Sequence, residues 1–389
     1  MKIYAALICF LLAACGQRQR SMEESTWADD SGSVNSEEID LSEIQSNGEM
    51  IMVTLSGPQT IYDYHGKQLG AMYMLCQKFA DELGVTLRVD ICRDTTEIIR
   101  KLTNGDADIA AFYLPKNLSN DSLIYCGPKL DSLNVQWAVG YGKDELADKL
   151  KKWYRPAFLA DVNKEETFLL SHRSIKRRVF SPMLNAKGGI ISHYDQLFIN
   201  YSRIIRWDWR LMAAQCYQES TFDPQARSWA GACGLMQIMP GTAEQLGLPA
   251  ASIFEPESNI AAAAKYIGQL TEKFSDVSNS SERTKFVLAS YNGGFFHIRD
   301  AMALAQKHGR NPHRWDDVAP YVLQLSNPTY YNDPIVEHGY MRGSETVDYV
   351  AKILQRWASY RGVKSVSRIG ITTLGTPRRA THERKKKYQ

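Results

Sequence analysis

A glutamate that directly follows an apolar-rich stretch is the first residue of this sequence that could do acid–base chemistry. The spacing of apolar residues predicts a helix over Trp209–Gln218, and Glu219 comes next. Burial disfavours the charged form of a carboxyl group and raises its pKa. A carboxyl group that stays protonated near neutral pH can serve as a general acid. Since most glutamates at helix ends are solvated, Glu219 alone does not predict an activity.

Three further motifs follow the Glu219-Ser220 pair along the chain. Their amide and hydroxyl side chains suit hydrogen bonding to sugars, and their glycines leave room for a ligand close to the backbone. The motifs are Gly234-Leu235-Met236-Gln237, Ser290-Tyr291-Asn292-Gly293-Gly294 and Tyr340-Met341-Arg342-Gly343-Ser344-Glu345-Thr346.

Together and in this order, the four motifs resemble the soluble-type lytic transglycosylase family, whose members have a lysozyme-like, mainly α-helical fold. Ser290 stands where the family has alanine. The last motif and the Trp315–Tyr331 stretch look closest to membrane-bound members, which carry a solute-binding domain in front of the lytic domain. The resemblance implies a lytic transglycosylase domain over residues 190–365.

This resemblance implies a reaction with Glu219 as the sole acid and base. Glu219 would protonate the glycosidic oxygen between MurNAc and GlcNAc, and the N-acetyl group of MurNAc would stabilise the developing positive charge. The ionised Glu219 would then take the proton of the C6 hydroxyl as it attacks C1, which gives a 1,6-anhydro end and consumes no water. Ordinary glycosidases need two carboxylates, and Asp223, in a predicted turn before a proline, is the alternative second acid.

Three residues near Glu219 receive roles from the same resemblance. Ser220 would orient Glu219 by a hydrogen bond, or alternatively its hydroxyl bonds the backbone at the helix end. Gln237 would bond sugar N-acetyl or hydroxyl groups. Met236 would offer apolar contact to a sugar ring.

The later motifs supply the remaining predicted substrate-binding residues. Tyr291 and Asn292 would hold the N-acetyl group of MurNAc. Glu345 would brace the cleft or bind sugar, or else be a structural acid bonded to the backbone. Three further tyrosines are candidates for sugar stacking, with a core role as the default, namely Tyr330, Tyr331 and Tyr340.

Two other functions remain open from the sequence. A muramidase would use water at the same site and leave an ordinary reducing MurNAc end. A non-catalytic wall-binding or sensing lipoprotein would keep the fold without turnover, although the intact motif residues argue against it. No metal-binding or nucleotide-binding motif is apparent, so we expect no cofactor.

Residues 49–155 predict a small α/β domain in front of the motifs. Strands that alternate with helices favour βαβ units around a parallel sheet. The predicted strands are Met50–Leu55, Val85–Ile91, Asp108–Leu114 and Val135–Val139, and the predicted helices are Ala71–Leu83, Thr95–Leu102 and Lys143–Trp153.

Parts of this domain resemble the first lobe of bacterial extracellular solute-binding proteins. The stretches that carry the resemblance are Gly70–Tyr73, Phe79–Gly84 and Leu102–Ile109. In that family the chain crosses to a second lobe and returns, but here only 20 residues separate Leu114 from Val135. A single lobe offers half a ligand site, so a docking or structural role is predicted ahead of classical solute binding.

The N-terminus has the features of a lipoprotein signal peptide over residues 1–14. Lys2 precedes the apolar run Ile3–Ala14, which ends in small residues. The Leu-Ala-Ala-Cys sequence ending at Cys15 resembles a bacterial lipobox, which implies cleavage before Cys15 and lipid attachment to its thiol. An ordinary signal peptide or a buried N-terminal helix is the alternative.

Three segments are predicted to connect or extend the folded parts. Residues 15–48 predict a flexible tether, because they are rich in acidic residues and serines. Residues 156–189 predict a linker with a basic cluster, which is either a solvated face or a site of attraction to anionic wall polymer or to the preceding lobe. Residues 366–389 predict a disordered basic tail.

These features place the chain in the bacterial cell envelope, as an outer-membrane lipoprotein that faces the periplasm. The expected partners are peptidoglycan glycan strands, the outer membrane through the lipid anchor, and cell-wall synthesis or division proteins. With 46 basic and 43 acidic side chains, the net charge of +3 is too small to suggest nucleic acid. The cysteines allow Cys76–Cys92 or Cys216–Cys233 pairing, but the sequence does not establish either.

Overall fold

The computed structural model of the chain describes residues 39–116 and 122–362. An α/β region comes first and a helical region follows, and each has its own hydrophobic core. The predicted fold class, an N-terminal α/β part and a C-terminal mainly α-helical part, is confirmed. The predicted signal peptide, Cys15 and the basic tail lie outside the described residues.

One five-stranded sheet forms the centre of the α/β region. Its strands are β1 (Glu49–Leu55), β4 (Thr86–Cys92), β5 (Ile109–Pro115), β6 (Leu123–Leu130) and β7 (Val135–Gly140), and a separate hairpin comprises β2 (Tyr62–Tyr64) and β3 (Lys67–Leu69).

The sheet is mixed, with the strand order β4-β1-β5-β7-β6. β1 runs parallel to β4 and β5, whereas β7 runs antiparallel to both β5 and β6. The predicted parallel sheet is therefore correct for β4, β1 and β5 and wrong for the other two strands. Only a short 3-10 turn, Asp131–Leu133, joins β6 to β7, which is too short for a parallel crossover.

Helices cover both faces of this sheet. Helix α2 packs on one face and α3 on the other, and their buried residues accordingly belong to two different hydrophobic cores. The helices of the region are α1 (Ile39–Asn47), α2 (Ala71–Leu83), α3 (Thr95–Thr103), α4 (Asp144–Trp153) and α5 (Pro156–Leu169).

Helices α1 and α5 lie in segments that were predicted as tether and linker. Ile44 of α1 is buried in the core, and the carboxylate of Asp40 accepts a bond of 3.0 Å from the backbone N–H of Glu145. This contact satisfies an N–H at the start of α4. The tether prediction is wrong for residues 39–47, because a few apolar residues and a capping acid suffice to dock a short helix. Similarly, α5 occupies the first half of the predicted linker and packs on α2.

The helical region contains nine α-helices within the described residues. The structure has the seven helices that apolar spacing in the sequence predicts here, over Tyr194–Arg206, Trp209–Gln218, Thr242–Leu246, Glu257–Phe274, Glu282–Tyr291, Gly294–Lys307 and Glu345–Tyr360. Two helices were not predicted, α12, which contains Pro320, and the four-residue α13. The nine are α6 (Asp195–Ile204), α7 (Trp209–Ser220), α8 (Pro240–Leu246), α9 (Pro256–Lys273), α10 (Ser280–Gly293), α11 (Phe295–Lys307), α12 (Trp315–Gln324), α13 (Pro328–Tyr331) and α14 (Gly343–Tyr360).

Helix α7 crosses the core of this region and packs on α14. Every residue from Leu211 to Cys216 is buried, so the helix is apolar on nearly all sides and its C-terminal end is held by surrounding protein. The cysteines of the described residues, Cys216 among them, are buried and unpaired, and neither of the two possible disulfides forms.

An aromatic cluster joins the two regions. The rings of Tyr62 and Tyr340 meet edge to face with centroids 5.0 Å apart, and Tyr331 packs against Tyr340 with centroids 5.7 Å apart. All three tyrosines are buried, together with Leu69. The β2–β3 hairpin thereby packs on the helical region.

Gly343 provides a test of the packing that starts α14. A Cβ atom at this position would overlap the backbone carbonyl of Val322, and backbone cannot yield as a flexible side chain can. We expect Gly343→Ala to lower the free energy of unfolding by at least about 1–3 kcal/mol. Urea denaturation measures the change.

The matched control is Gly241→Ala in α8, where a Cβ atom meets nothing within 4 Å. Because alanine favours helix over glycine, this variant should be as stable as wild type or slightly more stable. Equal stability of the two variants would contradict the described contact between α12 and α14.

Candidate active site

The chain leaves α7 through two residues in a strained backbone conformation. Helix α7 ends at Ser220, and Thr221 and Phe222 follow with φ angles of 55° and 65°. Left-handed conformations are uncommon for residues other than glycine and cost roughly 1–3 kcal/mol each. Such strain concentrates at functional sites, and here it begins two residues after Glu219.

The carboxyl of Glu219 is densely surrounded by protein, although part of the residue remains accessible to solvent. Burial raises the pKa of Glu219 to about 7. A hydrogen bond from Tyr349 and the charges of His65 and Arg177 act in the opposite direction, while Glu345 adds to the rise. The carboxyl of Glu219 is therefore neutral in a large fraction of molecules near pH 7. A general acid must be in this neutral form to donate its proton.

A short hydrogen-bond chain holds one carboxyl oxygen of Glu219. The hydroxyl of Tyr349 donates to Oε1 at 2.5 Å, and the Nε2 of Gln215 donates to the Tyr349 oxygen at 3.2 Å. Because the amide occupies the tyrosine oxygen as a donor, the tyrosine proton is directed at Glu219. The sequence motifs predict no role for Gln215 or Tyr349, although Gln215 is a polar residue in an apolar stretch, one helical turn before Glu219.

Ser220 faces away from this carboxyl. Its hydroxyl is buried and donates to the carbonyl of Cys216 at 3.2 Å, one turn earlier in α7. This arrangement corresponds to the alternative considered for Ser220, a hydroxyl bonded to the helix backbone.

Met236 and Gln237 lie in a loop beside α7. Hydrogen bonds between side chains and backbone groups fix this loop. Met236 is fully buried, and its N–H donates to Asn259 Oδ1 at 2.8 Å. Gln237 has a positive φ of 48°, and its Nε2 donates to the carbonyls of Ala226 and Gly234 at 3.1 and 2.9 Å. The side chain of Met236 thus packs in the core in this structure and does not form an open sugar-facing surface.

Tyr291 and Asn292 connect α10 to this loop and to α14. The hydroxyl of Tyr291 donates to the Met236 carbonyl at 2.8 Å, and Asn292 Oδ1 accepts a bond of 2.7 Å from Thr346. Glu219 raises the pKa of Tyr291 in addition to the larger effect of burial, so the two side chains lie in the same site. The structure brings four predicted residues together around α7, namely Glu219, Met236, Gln237 and Tyr291.

Glu345 lies one helical turn before Tyr349 on α14 and contacts the β2–β3 hairpin. Tyr64 donates its hydroxyl to the Glu345 carboxylate at 2.9 Å, and His65 Nε2 lies 3.8 Å away. Burial alone would raise the pKa of Glu345, but bonds and charges from His65, Tyr64 and Arg342 outweigh it and lower the pKa. The N-terminal region therefore contributes residues to the surroundings of Glu219.

Asp223 and the candidate sugar-stacking tyrosines have other contacts. The Asp223 carboxylate is buried and accepts backbone bonds from Arg178 at 2.6 Å and Gln225 at 3.0 Å. Tyr331 and Tyr340 belong to the aromatic cluster, and Tyr330 packs against His308. These positions are consistent with structural roles for all four residues.

The helical region is similar to a known protein family. Residues 196–313 match the family described as "Transglycosylase SLT domain". The chain is 28% identical to membrane-bound lytic murein transglycosylase F of Enterobacter sp. (strain 638), over 80% of this chain and 78% of the relative. The protein of that name from Sodalis glossinidius is 26% identical over 82% of this chain and 89% of the relative. A third, from Desulfosudis oleivorans, is 40% identical over 41% of this chain and 34% of the relative.

Two kinds of solved structure each resemble part of the chain. The 70 kDa soluble lytic transglycosylase SLT70 from Escherichia coli covers 43% of this chain, with 25% identity, 24% of its own length and a TM-score of 0.30. The arginine-bound domain 1 of TmArgBP covers 31% of this chain, with 19% identity, 97% of its own length and a TM-score of 0.26. Among the described residues, no helix is long and apolar enough to cross a membrane.

The raised pKa of Glu219 predicts a pH-dependent stability. Since the pKa rises from 4.5 to about 7 on folding, the folded chain binds more protons than the unfolded chain between these values. The free energy of unfolding then falls as the pH rises from about 4.5 to about 7. Glu219→Gln removes this loss. We therefore expect the free energy of unfolding of the variant, relative to that of the wild type, to increase by up to about 3 kcal/mol from about pH 4 to about pH 8. Urea unfolding at both pH values measures the gain.

Glu345→Gln is the control with the opposite sign. The lowered pKa of Glu345 gives a stabilising contribution that is present above its unfolded value and is lost as the pH falls. This variant should therefore lose stability relative to wild type as the pH rises. Identical pH dependence in wild type and Glu219→Gln would show that the surroundings of Glu219 do not raise its pKa.

Proposed function

We propose that this chain, in which residues 196–313 match a transglycosylase SLT domain, is a peptidoglycan lytic transglycosylase that acts through Glu219. The observation that carries the proposal is a carboxyl with a pKa of about 7, held by Tyr349 at the end of a buried helix. The similarity to lytic murein transglycosylases over most of the chain supports the same class of substrate.

The first step uses the neutral form of Glu219. The protonated carboxyl donates its proton to the glycosidic oxygen between MurNAc and GlcNAc, and the bond from C1 to that oxygen breaks. Tyr349 then stabilises the carboxylate that is left, because its hydroxyl already donates to Oε1. Hydrogen bonds to the charged form favour that form, so this bond strengthens as the proton leaves.

The second step uses Glu219 as a base, without a second protein carboxylate. Asp223 is committed to two backbone N–H groups, and Glu345 is committed to Tyr64 of the hairpin. As the family resemblance implies, the N-acetyl group of MurNAc stabilises the positive charge at C1. The Glu219 carboxylate takes the C6 hydroxyl proton, and the oxygen closes onto C1 to give the 1,6-anhydro end.

The remaining motif residues shape the site around this chemistry. Tyr291 holds the Met236 carbonyl, so it fixes the loop that borders α7. Gln237 uses its NH2 group on backbone carbonyls, so its amide oxygen is the end that can accept a bond from a sugar. Asn292 accepts a bond from Thr346 on its amide oxygen, so its NH2 group is the end that can donate a bond to a sugar. Ser220 keeps the last turn of α7 closed.

The cellular setting follows from the relatives and the predicted lipobox. The relatives are named as membrane-bound proteins, which supports a place in the cell envelope. Lipid attachment at Cys15 would hold the enzyme on the outer membrane, facing the periplasm and its glycan strands.

Mass spectrometry of peptidoglycan digested by the full-length protein tests the proposed reaction. We expect anhydro-MurNAc ends from wild type, and a rate at least about 10²-fold lower from Glu219→Gln, because that variant lacks the general acid. Glu244→Gln is the matched control, since Glu244 is exposed on α8 and its loss should leave the rate unchanged.

Reducing MurNAc ends would contradict the proposal and indicate a muramidase at the same site. Undiminished cleavage by Glu219→Gln would refute the assignment of the acid. Binding of peptidoglycan by the wild type without any cleavage would favour a wall-binding protein.

A further inference from the structure

The basic cluster before the helical region contacts the end of α7 and is not simply a solvated face. Among its side chains only that of Arg177 is partly buried, and the others are exposed. We call residues 176–180 the basic strap. The cluster comprises Arg173, Lys176, Arg177 and Arg178.

Backbone bonds on both sides of Arg177 fix the strap against the loop that follows α7. Lys176 and Arg227 exchange two backbone hydrogen bonds of 2.9 Å. The N–H of Arg178 donates to the buried Asp223 carboxylate at 2.6 Å. Arg177 lies between these two anchors, so the direction of its side chain is set by the strap.

The guanidinium of Arg177 reaches the backbone of Glu219. Its Nη1 donates to the Glu219 carbonyl oxygen at 3.0 Å. The last carbonyls of a helix have no partner within the helix and form the negative end of its dipole. A cation at this end satisfies one carbonyl and offsets the negative potential that the carboxylate of Glu219 would otherwise meet.

We propose that Arg177 is a positioning residue for Glu219, which fixes the last turn of α7 and favours the carboxylate that remains after the proton is transferred. This role rests on the proposed acid–base function of Glu219. A neutral carboxyl gains little from a nearby cation, whereas the carboxylate gains more as its charge develops. Arg177 therefore favours the loss of the proton from Glu219 during the reaction. The burial of Glu219 by the surrounding protein favours the neutral form before the reaction begins.

Other groups also face Glu219, and the test must separate Arg177 from them. Tyr349 and Arg177 favour its carboxylate, as does His65, whereas Glu345 opposes it. The groups that interact with Glu219 are Tyr349 and Glu345 on α14, Tyr291 on α10, Cys216 on α7, His65 in the hairpin and Arg177 in the strap.

The experiment compares Arg177→Gln with Arg178→Gln in the full-length protein. Both changes remove one positive charge from the strap, but the side chain of Arg178 is exposed. The carboxyl carbon of Glu219 is titrated by NMR after ¹³C labelling of glutamate, with Glu219→Gln for assignment. The pH profile of anhydro-MurNAc release is recorded in parallel.

We expect Arg177→Gln to raise the titration midpoint of Glu219 and to move the alkaline limb of the rate profile to higher pH. The rate at the optimum should fall roughly fivefold, the cost of one typical hydrogen bond. Arg177→Lys keeps the charge and should restore most of the midpoint. If Arg177→Gln folds poorly, Arg177→Met provides the same comparison with more of the side-chain packing retained.

A midpoint in Arg177→Gln that moves no further than in Arg178→Gln would overturn the proposal. A fall in rate at every pH without a shift of the alkaline limb would do the same, since it indicates a structural effect alone. If the wild type releases no anhydro ends, the proposed function fails, and the NMR titration still decides whether Arg177 acts on the Glu219 carboxyl.

Discussion

The placement of one carboxyl group at the end of a buried helix is the constraint on which the site depends. Helix α7 can carry Glu219 to this position only because its apolar residues fill the core and because the chain turns away through Thr221 and Phe222 in a strained conformation. Burial makes the carboxylate costly, and this cost keeps the group neutral in a large fraction of molecules near pH 7. Tyr349 supplies the compensating bond, and we propose that Arg177 supplies the compensating charge.

The α/β region is part of this arrangement and not an independent appendage. Its β2–β3 hairpin ends in a tight turn at His65 and Gly66, both with positive φ, as a two-residue type I′ turn requires. The hairpin places Tyr64 on Glu345 and stacks the same ring over Trp229 with centroids 5.9 Å apart. The aromatic cluster below it holds the two regions together. A change in the α/β region can therefore alter the electrostatic environment of Glu219 through Glu345 and His65.

The sequence was informative where structure follows local patterns. Apolar periodicity predicted α2 and α7 almost to the residue, and the motifs contained Glu219 and Tyr291, whose side chains lie in one site. Contacts between distant segments were not predictable, because they depend on side chains such as Gln215, Tyr349 and Arg177 that carry no local motif. Similarly, α1 was assigned to a tether because its composition is polar, and the antiparallel strand β6 was missed. In both cases tertiary contacts outweigh local composition.

The most direct test of this account is infrared difference spectroscopy of the wild type against Glu219→Gln at about pH 6. We expect the wild type to show the carbonyl band of a protonated carboxyl. This band should be absent from the variant. With a pKa of about 7, about 90% of the Glu219 side chains are protonated at that pH. An ordinary glutamate would be about 3% protonated and would give almost no such band. Absence of the band would show that the fold does not keep Glu219 neutral for proton donation.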